Sequence, residues 1–160
     1  MVAALACPRA SQAQVSLYGD FSATYLHNLV SSSTLYGATT GILVDGPSIK
    51  RMLISADLQG RFVAGSGKSL NGLTVGPRFS FPTHNFTPFA ELLVGFARID
   101  NGAGPKSTDS TFQINGGIAK RLTPRLDAVV DYSYAQYFYS GGQYNPKTFS
   151  IGAIYHFTKR

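Results

Sequence analysis

Tryptophan is missing altogether, cysteine occurs once, and only 14% of the 160 residues are charged. The lone cysteine, Cys7, excludes an internal disulfide and a CxxC redox or metal motif. A soluble domain usually carries roughly 25% charge. The low charge here, beside 44% hydrophobic residues, excludes a disordered polymer and makes a dry outer surface conceivable. Long apolar runs are lacking too. No stretch approaches the ~18 residues a membrane-spanning helix needs, which excludes a helical membrane protein. Clustered cations are also scarce. Fourteen Lys and Arg give a net charge of +6, but their only close groupings are Lys50-Arg51, Lys120-Arg121 and Lys159-Arg160. Phosphate affinity needs cations in a stripe or patch, so nucleic acid is not an expected partner. Metal-ligand spacing and a phosphate-cradling glycine loop do not occur, and no cofactor or metal is expected.

What is present is alternation. Tyr and Phe make up 12% of the chain, and 17 glycines accompany them. From Val15 onward apolar residues alternate with polar or small ones, the two-residue period of a strand. In Lys50 to Val63, Met52, Ile54, Ala56, Leu58 and Phe62 face one way, and Arg51, Ser55, Asp57, Gln59 and Arg61 the other. Comparable alternation covers Val15–Leu26, Thr34–Val44, Leu70–Phe81, Ala90–Ala97, Phe112–Arg121, Leu126–Phe138 and Phe149–Phe157. Turn-formers separate them at His27–Ser33, Asp45-Gly46-Pro47, Gly65–Lys68, Pro82–Asn85, Asp100–Asp109, Leu122-Thr123-Pro124 and Ser140–Pro146. Eight strands with short connections predict one antiparallel up-and-down sheet, which sheds its edges only by closing into a barrel. Residues 1–13 read apart from it. Their apolar start and the Ser11-Gln12-Ala13 tripeptide match the tail of a secretory signal cleaved near Ala13, leaving a barrel domain over 14–160.

Which face of the barrel is wet follows from the charges. Asp20, Asp57, Glu91, Asp127 and Asp131 fall mid-strand on the less apolar face, with Arg61 and Arg78; Arg121 falls nearer a strand end. Fifteen of the twenty aromatics fall on the other face, too many for the interior of eight strands. Exposed to water they would form an aggregation surface, so the expected solvent is lipid. Two aromatic girdles are predicted: Tyr25, Tyr36, Phe62, Phe96, Phe112 and Phe138 at one end, Phe79, Phe81, Tyr155 and Phe157 at the other. The lumen charges Asp20, Asp57, Arg61, Arg78, Glu91, Arg121, Asp127 and Asp131 are expected to pair as a filler network, because unpaired buried charge is expensive. An ion path through them is the alternative.

The last strand, Phe149-Ser-Ile-Gly-Ala-Ile-Tyr-His-Phe157, and Pro124-Arg-Leu-Asp-Ala-Val-Val-Asp-Tyr132 before it resemble the small eight-stranded outer-membrane β-barrels of the outer membrane protein A and X kind. The resemblance implies an all-β transmembrane barrel in a bacterial outer membrane, with lipid around it and both termini periplasmic. It also implies insertion by the barrel assembly machinery, which reads a terminal strand ending in an aromatic residue such as Phe157. It implies no reaction. A monomer with a structural or surface-interaction role is expected. A narrow channel is the alternative, and a lipid-modifying enzyme, as some such barrels are, ranks below it. His27 lies near Ser31–Ser33, but no acid stands beside it in the sequence, so no catalytic residue is assigned. His84 and His156 read as polar filler.

Overall fold

The computed structural model describes residues 14–27, 32–100, 107–139 and 142–158; residues 1–13, on which the expected secretory signal falls with Cys7, and Ser31 lie outside these. The strands are β1 (Val15–His27), β2 (Ser32–Ile49), β3 (Met52–Gly65), β4 (Lys68–Ser80), β5 (Phe86–Asp100), β6 (Ser107–Thr123), β7 (Leu126–Tyr139), β8 (Gly142–Tyr144) and β9 (Lys147–His156). Successive strands from β1 to β8 pair antiparallel, and β9 pairs with both β7 and β1, which closes the ring. β8 and β9 are one barrel strand. Both face β7 in a single register, Tyr137 opposite Tyr144 and Tyr134 opposite Lys147. The ladder lapses between them at Pro146, which has no N–H to donate, while its carbonyl still accepts from the Ala135 N–H at 3.0 Å. The barrel thus has eight strands, as the alternation predicts.

The register also fixes the shape. Stepping across paired residues from Thr24 leads through Thr148, Ser133, Asn115, Glu91, Arg78, Ser55 and Asp45 to Gln14, whose carbonyl accepts from the Asp45 N–H. From Thr24 to Gln14 is a stagger of ten residues. With strands ~4.8 Å apart and a rise of ~3.3 Å per residue, that stagger tilts the strands by about 40° and gives a backbone radius of about 8 Å. The interior is therefore only wide enough for side chains.

Three connections are tight. Gly65 pairs with Lys68 around Ser66 (φ 52°) and Gly67 (φ 73°), the left-handed pair that a two-residue hairpin turn needs. At the opposite end Ile49 pairs with Met52 around Lys50-Arg51, with Lys50 itself at φ 56°, and Thr123 pairs with Leu126 around Pro124-Arg125. Sequence reading places the first of these short-turn-end connections at Asp45-Gly46-Pro47 instead. The structure corrects this: β2 runs through that tripeptide to Ile49, and the register slips by one between Asp45 and Ser48. Gly46 and Pro47 form a bulge, which tolerates both a missing N–H and a missing side chain.

The outer face is mainly apolar. Phe21, Phe62, Leu73, Val94 and Phe96 each expose more than half of their surface, and Leu58, Val75, Leu92, Ile114 and Ile151 stand among them. The expected girdle residues Tyr25, Tyr36, Phe62, Phe96, Phe112 and Phe138, and Phe81, Tyr155 and Phe157 at the other end, all point outward; Phe79 is half-buried. Phe21 stacks on Tyr36 at 6.3 Å, and Tyr155 meets Phe157 edge-on at 5.5 Å. A continuous band of this area is stable against hydrocarbon and not against water.

Candidate functional site

Among the described residues the lumen is where buried polar chemistry gathers, and it is layered. Alternation turns Asp20 of β1, Asp57, Gln59 and Arg61 of β3, Arg78 of β4, Glu91 of β5, and Gln113 and Asn115 of β6 inward. Arg78 Nη1 donates to Glu91 Oε1 at 3.0 Å, and its guanidinium lies 3.6 Å over the Phe89 ring. Asn115 Nδ2 donates to the other Glu91 oxygen at 2.7 Å. Gln113 Nε2 donates to Asn115 Oδ1 at 2.7 Å and to Gln59 Oε1 at 2.8 Å. Gln59 Nε2 donates to Tyr18 Oη at 3.1 Å, and Tyr18 donates on to Asp57 at 3.0 Å. Arg61 spans the lumen from β3, donating to Ser133 Oγ at 3.0 Å and Thr148 Oγ1 at 3.2 Å. Arg61 Nη2 also donates to Gln59 Oε1 at 3.5 Å, so one connected network ties seven strands together, which is how buried ions are made tolerable.

Apolar layers cap this network at both ends. Leu26, Leu35, Val63, Leu70, Ala97, Ile99, Ala135 and Tyr137 close the end bearing the β1–β2 and β5–β6 connections. Tyr18, Leu43, Phe89, Ala119, Val129 and Ile154 close the other. Two bulky rings fit the lower layer because their neighbours have no side chain. A Cβ on Gly41 would strike the Tyr18 ring, and one on Gly117 would strike Phe89. Between the layers a cavity of about 10 Å³, lined by Asp20, Arg78, Glu91 and Asp131, has room for one water. Asp20 Oδ1 has no hydrogen-bond partner within the protein.

Below the lower layer lies a trio that sequence reading does not assemble. His156 Nδ1 is 2.7 Å from Ser16 Oγ, and His156 Nε2 is 3.0 Å from Asp127 Oδ2, all three being buried. The residue types are those of a hydrolytic triad, but the setting is different. Ser16 is fully buried, and it sits mid-ladder, paired with Leu43 on one side and His156 on the other, so the strand amides around it are committed to the sheet. The trio instead cross-links β1, β7 and β9 where the first strand meets the last. Ser22 with Ser150 at 3.1 Å and Thr24 with Thr148 at 2.8 Å continue the same seam upward.

Of the expected lumen charges, Asp20, Asp57, Arg61, Arg78, Glu91 and Asp127 are buried and Asp131 is half-buried. Arg121 is not among them. It keeps its strand's register, opposite Asp127, but stands at the end of β6 just before the register slips toward Thr123, and is exposed on the rim. The lumen aromatics Tyr18, Phe89 and Tyr137 and the apolar caps are absent from the sequence expectation, which gives the interior polar residues alone. Among the described residues no cluster of acid, His and Cys ligands suits a metal ion.

Neisserial surface protein A superposes with a TM-score of 0.66 at 14% identity over 89% of this chain and 95% of that one. The N-terminal β-barrel domain of Pseudomonas aeruginosa OprF gives 0.60 at 13%, over 91% and 100%. Ail, the attachment invasion locus protein of Yersinia pestis, gives 0.55 at 15%, over 91% and 97%. The fold is that of the small eight-stranded outer-membrane β-barrels. No protein-family model matches the chain, and no curated protein matches it in sequence. At these identities the likeness of this barrel to its neighbours is one of fold, and their roles are their own.

Proposed function

We propose that this barrel resides in a bacterial outer membrane as a monomeric, non-catalytic structural or surface-interaction protein whose lumen carries no steady ion current. The observation that supports a closed lumen is its filling: two apolar layers bracket a network whose remaining cavity suits a single water. An ion entering would have to shed its hydration shell to cross layers such as Leu35, Val63 and Leu70, each almost wholly buried against its neighbours. In this reading both termini and the tight turns at Lys50-Arg51 and Pro124-Arg125 face the periplasm, following the habit of such barrels to keep short turns there and longer loops outside. Outer-membrane lipid and, during insertion, the barrel assembly machinery are its partners. The test is conductance of the purified, heat-modifiable protein in planar bilayers. A closed lumen gives no steady steps; reproducible single-channel steps would overturn it in favour of a narrow channel.

A further inference from the structure

The short-turn end is electrostatically one-sided. Lys50 and Arg51 on the β2–β3 turn, and Lys120, Arg121 and Arg125 around the β6–β7 turn, are all exposed. The two acids at that end, Asp45 and Asp127, are buried at 8% and 4% exposure, Asp45 accepting from Ser55 Oγ and Asp127 facing His156. Among the described residues every exposed ionic side chain at this end is therefore a cation. The opposite end mixes signs, with Lys68, Arg98 and Lys147 beside Asp100 and Asp109. Between the two basic turns stands the β4–β5 turn, held by Thr83, whose N–H and hydroxyl both donate to the Phe86 carbonyl. Lys120 lies 5.8 Å over the Phe86 ring, at the level of the aromatic girdle.

A cup of about 560 Å³ opens between the β2–β3 and β4–β5 turns. Lys50, Arg51, Ser48 and Thr83 give it cations and hydroxyls, and Leu53 and Phe81 an apolar wall. Lys50 holds φ 56°, a conformation that tight turns ordinarily fill with Gly or Asn. We propose that this basic rim, centred on the Lys50-Arg51 cup, binds the phosphate of an anionic phospholipid headgroup. Lys50 and Arg51 neutralise the phosphodiester, Ser48 and Thr83 hydrogen-bond its oxygens, and Phe81 and Leu53 cover the glycerol and upper acyl chain. With the termini periplasmic, as proposed above, these lipids belong to the leaflet on that side; the binding itself does not depend on the lumen being closed.

The test is lipid selectivity of the folded barrel in phosphatidylcholine vesicles, read by the motionally restricted fraction of spin-labelled phosphatidylglycerol against spin-labelled phosphatidylcholine. The wild type should prefer phosphatidylglycerol by about fivefold at low salt, and less in 0.5 M salt, since each interfacial cation contributes about a fivefold factor at most. Lys50→Gly with Arg51→Gln should lose most of this preference. Because glycine suits the turn, that variant should keep its gel shift on heating at the wild-type temperature or above it. Equal restriction of both lipids by the wild type would overturn the proposal. So would an unchanged preference in the folded variant, or its abolition by millimolar inorganic phosphate at constant ionic strength, which would make the ligand a free anion. Channel conductance in the wild type would sink the closed-lumen reading alone and leave this result standing.

Discussion

Replacing Arg78 by Met removes one half of a fully enclosed ion pair in the lumen. Arg78 and Glu91 expose 6% and 3% of their side chains, and their contact is 3.0 Å. In the variant Glu91 keeps only the Asn115 amide, and Phe89 loses the cation over its ring. A buried charge left without its partner costs about 3–5 kcal/mol, to which the lost cation–π contact adds about 1–2 kcal/mol. The pair itself need not be worth that much, because two desolvated ions recover little beyond what they gave up on leaving water. Arg78→Met with Glu91→Leu should therefore recover most of the loss, whereas Glu91→Gln leaves the buried guanidinium without its carboxylate and should cost about 3–5 kcal/mol. The assay is urea unfolding of the refolded barrel in detergent micelles, followed by far-ultraviolet circular dichroism and by the folded band on unheated gels. Tryptophan fluorescence is not an option in a chain without tryptophan. A loss below about 1 kcal/mol for Arg78→Met, or a double variant as unstable as the single, would refute the claim that this network is dry and mutually dependent.

His156→Ala removes the group that links Ser16 Oγ to Asp127 Oδ2 inside the barrel, and should lower stability by about 1–3 kcal/mol in the same urea assay. Ser16 should also stay unlabelled by a fluorophosphonate probe in the folded wild type, since it is fully buried; labelling would move the trio from a seam lock to chemistry. Ile114→Arg places a cation mid-strand on the outer face and should cost about 2–4 kcal/mol in lipid vesicles, against about 0–1 kcal/mol for a similar change near the rim at Leu122. Equal costs at the two depths would mean that the outer face has no hydrocarbon-like centre.

The strands and the sidedness of the barrel were legible in the sequence because a half-buried strand must alternate. Asp57, Gln59 and Arg61 share a parity, and the structure turns all three inward. Local punctuation was less reliable. Gly46-Pro47 signals a turn but sits in a bulge, and Pro146 interrupts one strand without ending it, since the register resumes at Lys147. Parity gives a face and not a depth: Arg121 keeps the register opposite buried Asp127, yet at the end of its strand it stands exposed on the rim. The Ser16–His156–Asp127 trio was not legible for a different reason. Ser16 and His156 are 140 positions apart, and only the closing of β1 on β9 makes them neighbours. The apolar layers were hidden because Leu35, Leu43, Leu70 and Leu93 follow the inward parity of their strands, while composition suggests that greasy residues face lipid. A barrel about 8 Å in radius needs both plugs and charges within to fill its width.

Single spin labels at Val75, Val94 and Val130, three outward positions on β4, β5 and β7, test the central claim most directly. In lipid vesicles the account predicts that all three collide freely with dissolved oxygen and hardly with a water-soluble nickel chelate, the signature of acyl-chain contact. High accessibility of these sites to the chelate, with labels at Asp57 or Glu91 facing lipid, would contradict it.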